Sequence, residues 1–85
     1  MPTIKLYAGL RKKAGQTEVS ITGASLRTSV SALVEQIPAL EGVIVQDGQI
    51  RPHFVINING HAATGLEVDI QEDDVIAIFP PIAGG

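Results

Sequence analysis

Residues 73–79, DDVIAIF, put Val75, Ala77 and Phe79 on one side of an extended chain and Ile76 and Ile78 on the other. A strand built from them is apolar on both faces, the pattern of a central strand that pairs on both edges. Pro80 and Pro81 follow at once, and proline cannot continue a central ladder. The sheet therefore has to be assembled around its last strand from segments that come earlier. The first strand is a candidate neighbour.

Working outward, TIKLYA alternates, with Ile4, Leu6 and Ala8 on one side and Thr3, Lys5 and Tyr7 on the other, as a half-buried strand does. TEVSI alternates again through Thr17, Val19 and Ile21. The stretch GLRKKAG between them, bounded by Gly9 and Gly15, reads as the short basic loop of a hairpin. In TSVSALVEQIP, Val30, Leu33, Val34 and Ile37 fall on one helical stripe, with Thr28 or Ser29 as the cap and Pro38 as the stop. Residues 39–52 are rich in turn formers, and Val43, Ile44 and Val45 are strand-like but short; the stretch reads as irregular. HFVINI alternates through Phe54, Ile56 and Ile58, and Asn59-Gly60 signals a tight turn into a short strand over Ala62, Ala63 and Thr64. The expectation is an α+β fold: a mixed sheet of four to five strands with one main helix on one face. The other face has no layer to cover it, so Ile76 or Ile78 is expected to contribute to an exposed apolar patch.

Eighty-five residues, 45% apolar and 18% charged, fit one soluble globular domain spanning residues 1–85. With no cysteine, disulfides, thiolate metal sites and a thiol nucleophile are excluded. A net charge of −3 with six Lys and Arg gives no basic field for a nucleic-acid backbone. No signal segment opens the chain and no apolar run is long enough to span a bilayer, so the expected setting is the cytoplasm, without a membrane partner. Arg11, Lys12 and Lys13 form one charge cluster, and Glu67, Asp69, Glu72, Asp73 and Asp74 another; both read as solvated segments first. His53 and His61 have no companion carboxylate at a metal-ligand spacing. Ser25, Ser29 and Ser31 sit where hydroxyls cap a helix, with no histidine and acid placed to activate them. Glu72, Asp73 and Asp74 are consecutive, so they cannot face one substrate together. No glycine-rich phosphate loop occurs. By elimination, the chain does not read as an enzyme acting alone.

What remains is the segment from Pro80 to Gly85, PPIAGG. The prolines hold it extended and away from the sheet. Gly84 and Gly85 have no side chain to obstruct a narrow channel and accept any backbone dihedral. The terminal carboxylate of Gly85 is the candidate reactive group, inert until another enzyme activates it.

IKLYAGLRKKAG, VINING and DDVIAIFPPIAGG together resemble the small β-grasp sulfur carriers related to ubiquitin, the MoaD- and ThiS-like proteins, and most closely the small subunit of molybdopterin synthase. The resemblance implies a β-grasp fold with residues 80–85 as a projecting tail. It implies that a ubiquitin-activating-type adenylyltransferase uses ATP to adenylate Gly85, and that a sulfur donor enzyme converts the adenylate to a thiocarboxylate. A large catalytic subunit of molybdopterin synthase, or another sulfur acceptor enzyme, would then take the sulfur. Pro80, Pro81, Ile82, Ala83 and Gly84 match the segment that threads into the partner, and Phe79 a position on the partner surface. No cofactor is implied for this chain itself, and its part in such a complex would be that of a non-catalytic carrier. Carriage of sulfur for cysteine, thiamin or tRNA thiolation, and conjugation to lysines as a protein modifier, are the alternatives. One departure concerns the turn before the last strand: the family commonly has Asp-Gly-Asp there, and this chain has Glu72, Asp73 and Asp74.

Overall fold

In the computed structural model, which describes residues 1–47, 49–51 and 53–80, the last strand is the middle one. In chain order the elements are β1 (Thr3–Leu6), α1 (Gly9–Ala14), β2 (Glu18–Ser20), α2 (Leu26–Gln36), a 3-10 turn (Pro38–Leu40), β3 (Val45–Gln46), β4 (Gln49–Ile50), β5 (Val55–Ile58), β6 (His61–Ala62) and β7 (Val75–Phe79). The main sheet runs β2-β1-β7-β5-β6, and β3 and β4 form a separate pair. β7 pairs parallel with β1 and antiparallel with β5. A parallel neighbour requires a crossover, and α2 lies on the path between the two halves of the sheet.

Register explains why the sheet holds one face to the core. Ile4 stands between Val19 and Ile76, Leu6 beside Ile78, and Ile56 and Ile58 beside Ile78 and Ile76. Ile4, Ile76 and Ile78 are fully buried. From α2, Leu26, Val30 and Leu33 pack into the same cluster, which also takes in Leu10, Ile37, Leu40 and Ile44. Each such side chain contributes about 1.5–3 kcal/mol by leaving water. The expected exposed patch over Ile76 or Ile78 is therefore corrected: the alternation places those two under the helix, and Val75, Ala77 and Phe79 carry the uncovered face, each half-buried.

GLRKKAG is also corrected, from a loop to the helix α1. Leu10 anchors it in the core, and Leu, Arg, Lys and Ala are all good helix formers. Gly15 closes it in the left-handed region (φ 73°), where its N–H donates to the Arg11 carbonyl at 2.9 Å, an end that glycine adopts without strain. The main helix is capped earlier than expected, three residues before Thr28 and four before Ser29. Ser25 is the N-cap; its Oγ accepts from the Thr28 N–H at 3.2 Å, and the Ser25 N–H donates to Thr28 Oγ1 at 3.0 Å. Thr28 thus plays the third-residue part of a capping box. Ser29 is buried inside the helix instead of capping it.

The middle stretch is mostly irregular, as expected, but it carries the 3-10 turn and the two-residue strands β3 and β4, and it buries Ile44. The Asn-Gly hairpin forms with Ile58 opposite His61, so β6 begins one residue earlier than expected. Asn59 and Gly60 both have positive φ, 53° and 84°, which two-residue hairpin turns of this hand require. The turn Gln71 to Asp74 closes without glycine. The Asp74 N–H donates to the Gln71 carbonyl at 3.1 Å, the Gln71 N–H donates to Asp74 Oδ2 at 2.8 Å, and neither Glu72 nor Asp73 has positive φ.

Candidate functional site

β7 positions the site by where it ends. Its last residue, Phe79, lies opposite Val55 of β5. On its other flank Tyr7, the residue after β1, stacks on it with ring centroids 4.5 Å apart and planes 15° from parallel. Tyr7, Phe79 and Val55 thus make an apolar row on the uncovered face at the point where the chain leaves the sheet. Val55 is 52% exposed despite its size. One row further in come Glu18, Lys5, Ala77, Asn57 and Ala62, all small or polar.

The basic helix follows Tyr7 of this row in the chain, and the acidic turn precedes β7, at the strand's other end. The helix α1 begins two residues beyond Tyr7 and exposes Arg11, Lys12 and Lys13, its last-turn cations, where they complement the helix dipole. Glu67, Asp69, Glu72 and Asp73 are exposed, and Arg27 binds Glu67 Oε1 through Nε at 2.7 Å. Asp74 behaves differently. The Gln71 N–H and the Asn59 side-chain N–H, at 2.8 Å each, stabilise its carboxylate and hold its pKa below the ordinary 3.8.

Of the residues that the sequence offered for the site, Phe79 and Pro80 are placed, both half-buried. Pro81, Ile82, Ala83, Gly84 and Gly85 lie outside the described residues. Sequence reasoning missed Tyr7 and Val55. Tyr7 shares the face of Lys5 by alternation, but its partnership with Phe79 depends on the parallel register of β1 and β7, which no local pattern encodes. The other candidates do not converge. His53 and His61 are both exposed, and among the described residues no three His, Cys, Asp or Glu side chains are grouped to hold a metal ion. The groove between α2 and β5, lined by Leu26, Ile50, Phe54, Ile56, Ala63 and Leu66, contains no titratable side chain. No helix among the described residues is long and apolar enough to cross a membrane.

Comparison with known proteins agrees with this geometry. The profile of the ThiS family matches residues 4–85. Small archaeal modifier protein 1 of Haloferax volcanii is 36% identical over 85 residues, 95% of this chain and 97% of that one. Its crystal structure matches with a TM-score of 0.88 at 35% identity, across 99% of this chain and 98% of the other. A protein of Archaeoglobus fulgidus with the provisional name sulfur carrier protein is 37% identical over 59 residues, 64% of this chain and 67% of its own length. A Pyrococcus furiosus chain provisionally named molybdopterin converting factor, subunit 1, shares the fold, with a TM-score of 0.75 at 21% identity over 95% of this chain and 97% of that one. The central last strand, the helix that crosses over to reach it and the family match over nearly the whole length lead to one conclusion: this chain belongs to the ThiS family of small, ubiquitin-like β-grasp proteins.

Proposed function

We propose that the chain carries sulfur on the carboxylate of Gly85. The observation that carries this reading is positional: Pro80 to Gly85 follow the central strand without an intervening polar tail, in a chain of the ThiS family. A carboxylate oxygen of Gly85 attacks the α-phosphorus of ATP on a separate adenylyltransferase, and pyrophosphate leaves. Hydrosulfide delivered by a donor enzyme then attacks the acyl carbon, AMP leaves with the electron pair of its bond to the acyl group, the sulfur loses its proton, and a thiocarboxylate remains. Pro81, Ile82, Ala83 and Gly84 thread into the partner's channel, since a chain this thin approaches a phosphate without steric cost. Tyr7, Phe79 and Val55 supply the apolar contact outside it. ATP belongs to the activating enzyme, and the reaction sequence runs in the cytoplasm. The favoured acceptor is the pterin precursor of molybdopterin, on a large catalytic subunit; the resemblance of DDVIAIFPPIAGG to that synthase's small subunit supports it.

The 36% identity to small archaeal modifier protein 1 favours a second reading, in which the activated Gly85 is transferred to lysine amines of other proteins. Both readings need adenylation. The test is ATP-dependent pyrophosphate release by the activating enzyme with the full chain and with a chain lacking Gly85, followed by immunoblots of the native cell. Release that requires Gly85, with mainly free protein on the blot, supports sulfur carriage. Higher-mass conjugates support modification, and release that is indifferent to Gly85 overturns both.

A further inference from the structure

Asn59-Gly60 is the tight turn of the β5–β6 hairpin, and the functional reading leaves it unused. Asn59 is exposed, yet its side chain is held at both ends: Nδ2 donates to Asp74 Oδ1 at 2.8 Å, and Oδ1 accepts from the Val75 N–H at 2.9 Å. Its backbone N–H donates to the Val75 carbonyl at 2.8 Å. This one residue therefore ties the hairpin to the first residue of β7, the strand that bears the tail.

An asparagine followed by glycine is chemically labile, because the next backbone nitrogen has no side chain beside it to hinder attack on the carboxamide carbon. We propose that Asn59-Gly60 is a spontaneous deamidation site that Asp74 keeps latched. In the reaction Gly60 N bonds to Asn59 Cγ, the Cγ–Nδ2 bond breaks, and ammonia leaves with the proton of the Gly60 amide. One water then opens the succinimide, to aspartate or to isoaspartate. The Val75 N–H polarises the carbonyl for attack. The Asp74 carboxylate opposes it, because the leaving nitrogen must first give up a charge-assisted hydrogen bond and the carboxamide must turn from Asp74 toward Gly60. The product undoes the latch. Aspartate at 59 sets a second carboxylate against Asp74 where a donor stood, and like charges at that distance repel. Isoaspartate lengthens the backbone inside a two-residue turn whose register places Ile58 opposite His61.

The test is incubation of the full chain in warm, mildly alkaline buffer, followed by intact mass and peptide mapping. Asn57, which precedes the β-branched Ile58 inside β5, serves as the internal control. Asp74→Ala is expected to deamidate at Asn59 about tenfold faster than wild type, the rate equivalent of losing one charge-assisted hydrogen bond, with Asn57 unchanged. Gly23→Ala, which disturbs packing far from this turn in sequence, separates the latch from general loosening: under the proposal it does not accelerate Asn59. Equal rates in wild type and Asp74→Ala, or equal acceleration by Gly23→Ala, overturn the latch. Modification at Asn57 ahead of Asn59 overturns the site.

Discussion

At the scale of single residues, Asp74 and Gly23 carry contacts that their neighbours in sequence do not reveal. The Asp74 pKa is lowered, first by the Gln71 N–H and then by Asn59. The unfolded chain therefore binds a proton more readily in acid than the folded one. The resulting stability is present above the ordinary value of 3.8 and is lost as pH falls through the lower folded value. Thermal melts of wild type and Asp74→Ala are expected to converge in strong acid and to separate as pH rises past that range; melts separated by a constant amount throughout would contradict the assignment. Gly23 lies against α2, where an added Cβ would sit 2.8 Å from the Ser29 backbone nitrogen and 2.9 Å from its Cα. Gly23→Ala is expected to cost about 1–3 kcal/mol by overpacking in denaturant titration. The Ser29 hydroxyl is buried with no partner among the described residues. Ser29→Ala is accordingly expected to be neutral or to stabilise by up to about 1 kcal/mol, and a clear loss would show that the hydroxyl has a partner. None of this is legible in the sequence, where Ser29 reads as a cap and Gly23 as one glycine among nine.

At the scale of elements, legibility follows how local the cause is. The two-faced apolar run at Val75 to Phe79 and the Asn-Gly turn are local signals, and both lead to the observed elements. The start of α2 shifts because Ser25 and Thr28 satisfy each other across one turn, an arrangement that depends on which of several nearby hydroxyls the chain bends toward. Ser25→Ala is expected to cost about 1 kcal/mol, read as a lower denaturant midpoint. α1 was hidden by its composition: three consecutive cations look like a loop until Leu10 is given a core to enter. Which side of β7 is uncovered depends on where α2 docks, which the pattern alone does not encode, and the expectation of exposure at Ile76 or Ile78 falls on the wrong side. Ile76→Ala, on the helix side, is expected to lose about 2–5 kcal/mol. Val55→Asp, on the open side, is expected to leave the melt nearly unchanged while weakening capture by the activating enzyme.

At the scale of the whole molecule, the β-grasp arrangement makes a rigid base for a terminal group. β7 is held on both edges and under the helix, so the point at which the chain departs is fixed by the central strand of the sheet. Under the proposed function, such a base presents one carboxylate at a reproducible place to the partners that act on it. Pro80, Pro81, Gly84 and Gly85 are read one residue at a time, and of these only Pro80 lies among the described residues; the row Tyr7, Phe79 and Val55 is not legible in the sequence, because three distant segments build it. The measurement that bears most directly on the central claim is the intact mass of the full chain after incubation with its activating enzyme, ATP and a sulfur donor. Exchange of one oxygen for sulfur, located at Gly85 by fragmentation and abolished when Gly85 is removed, is the expected result. An unchanged mass under conditions in which the same enzyme adenylates the chain would contradict it.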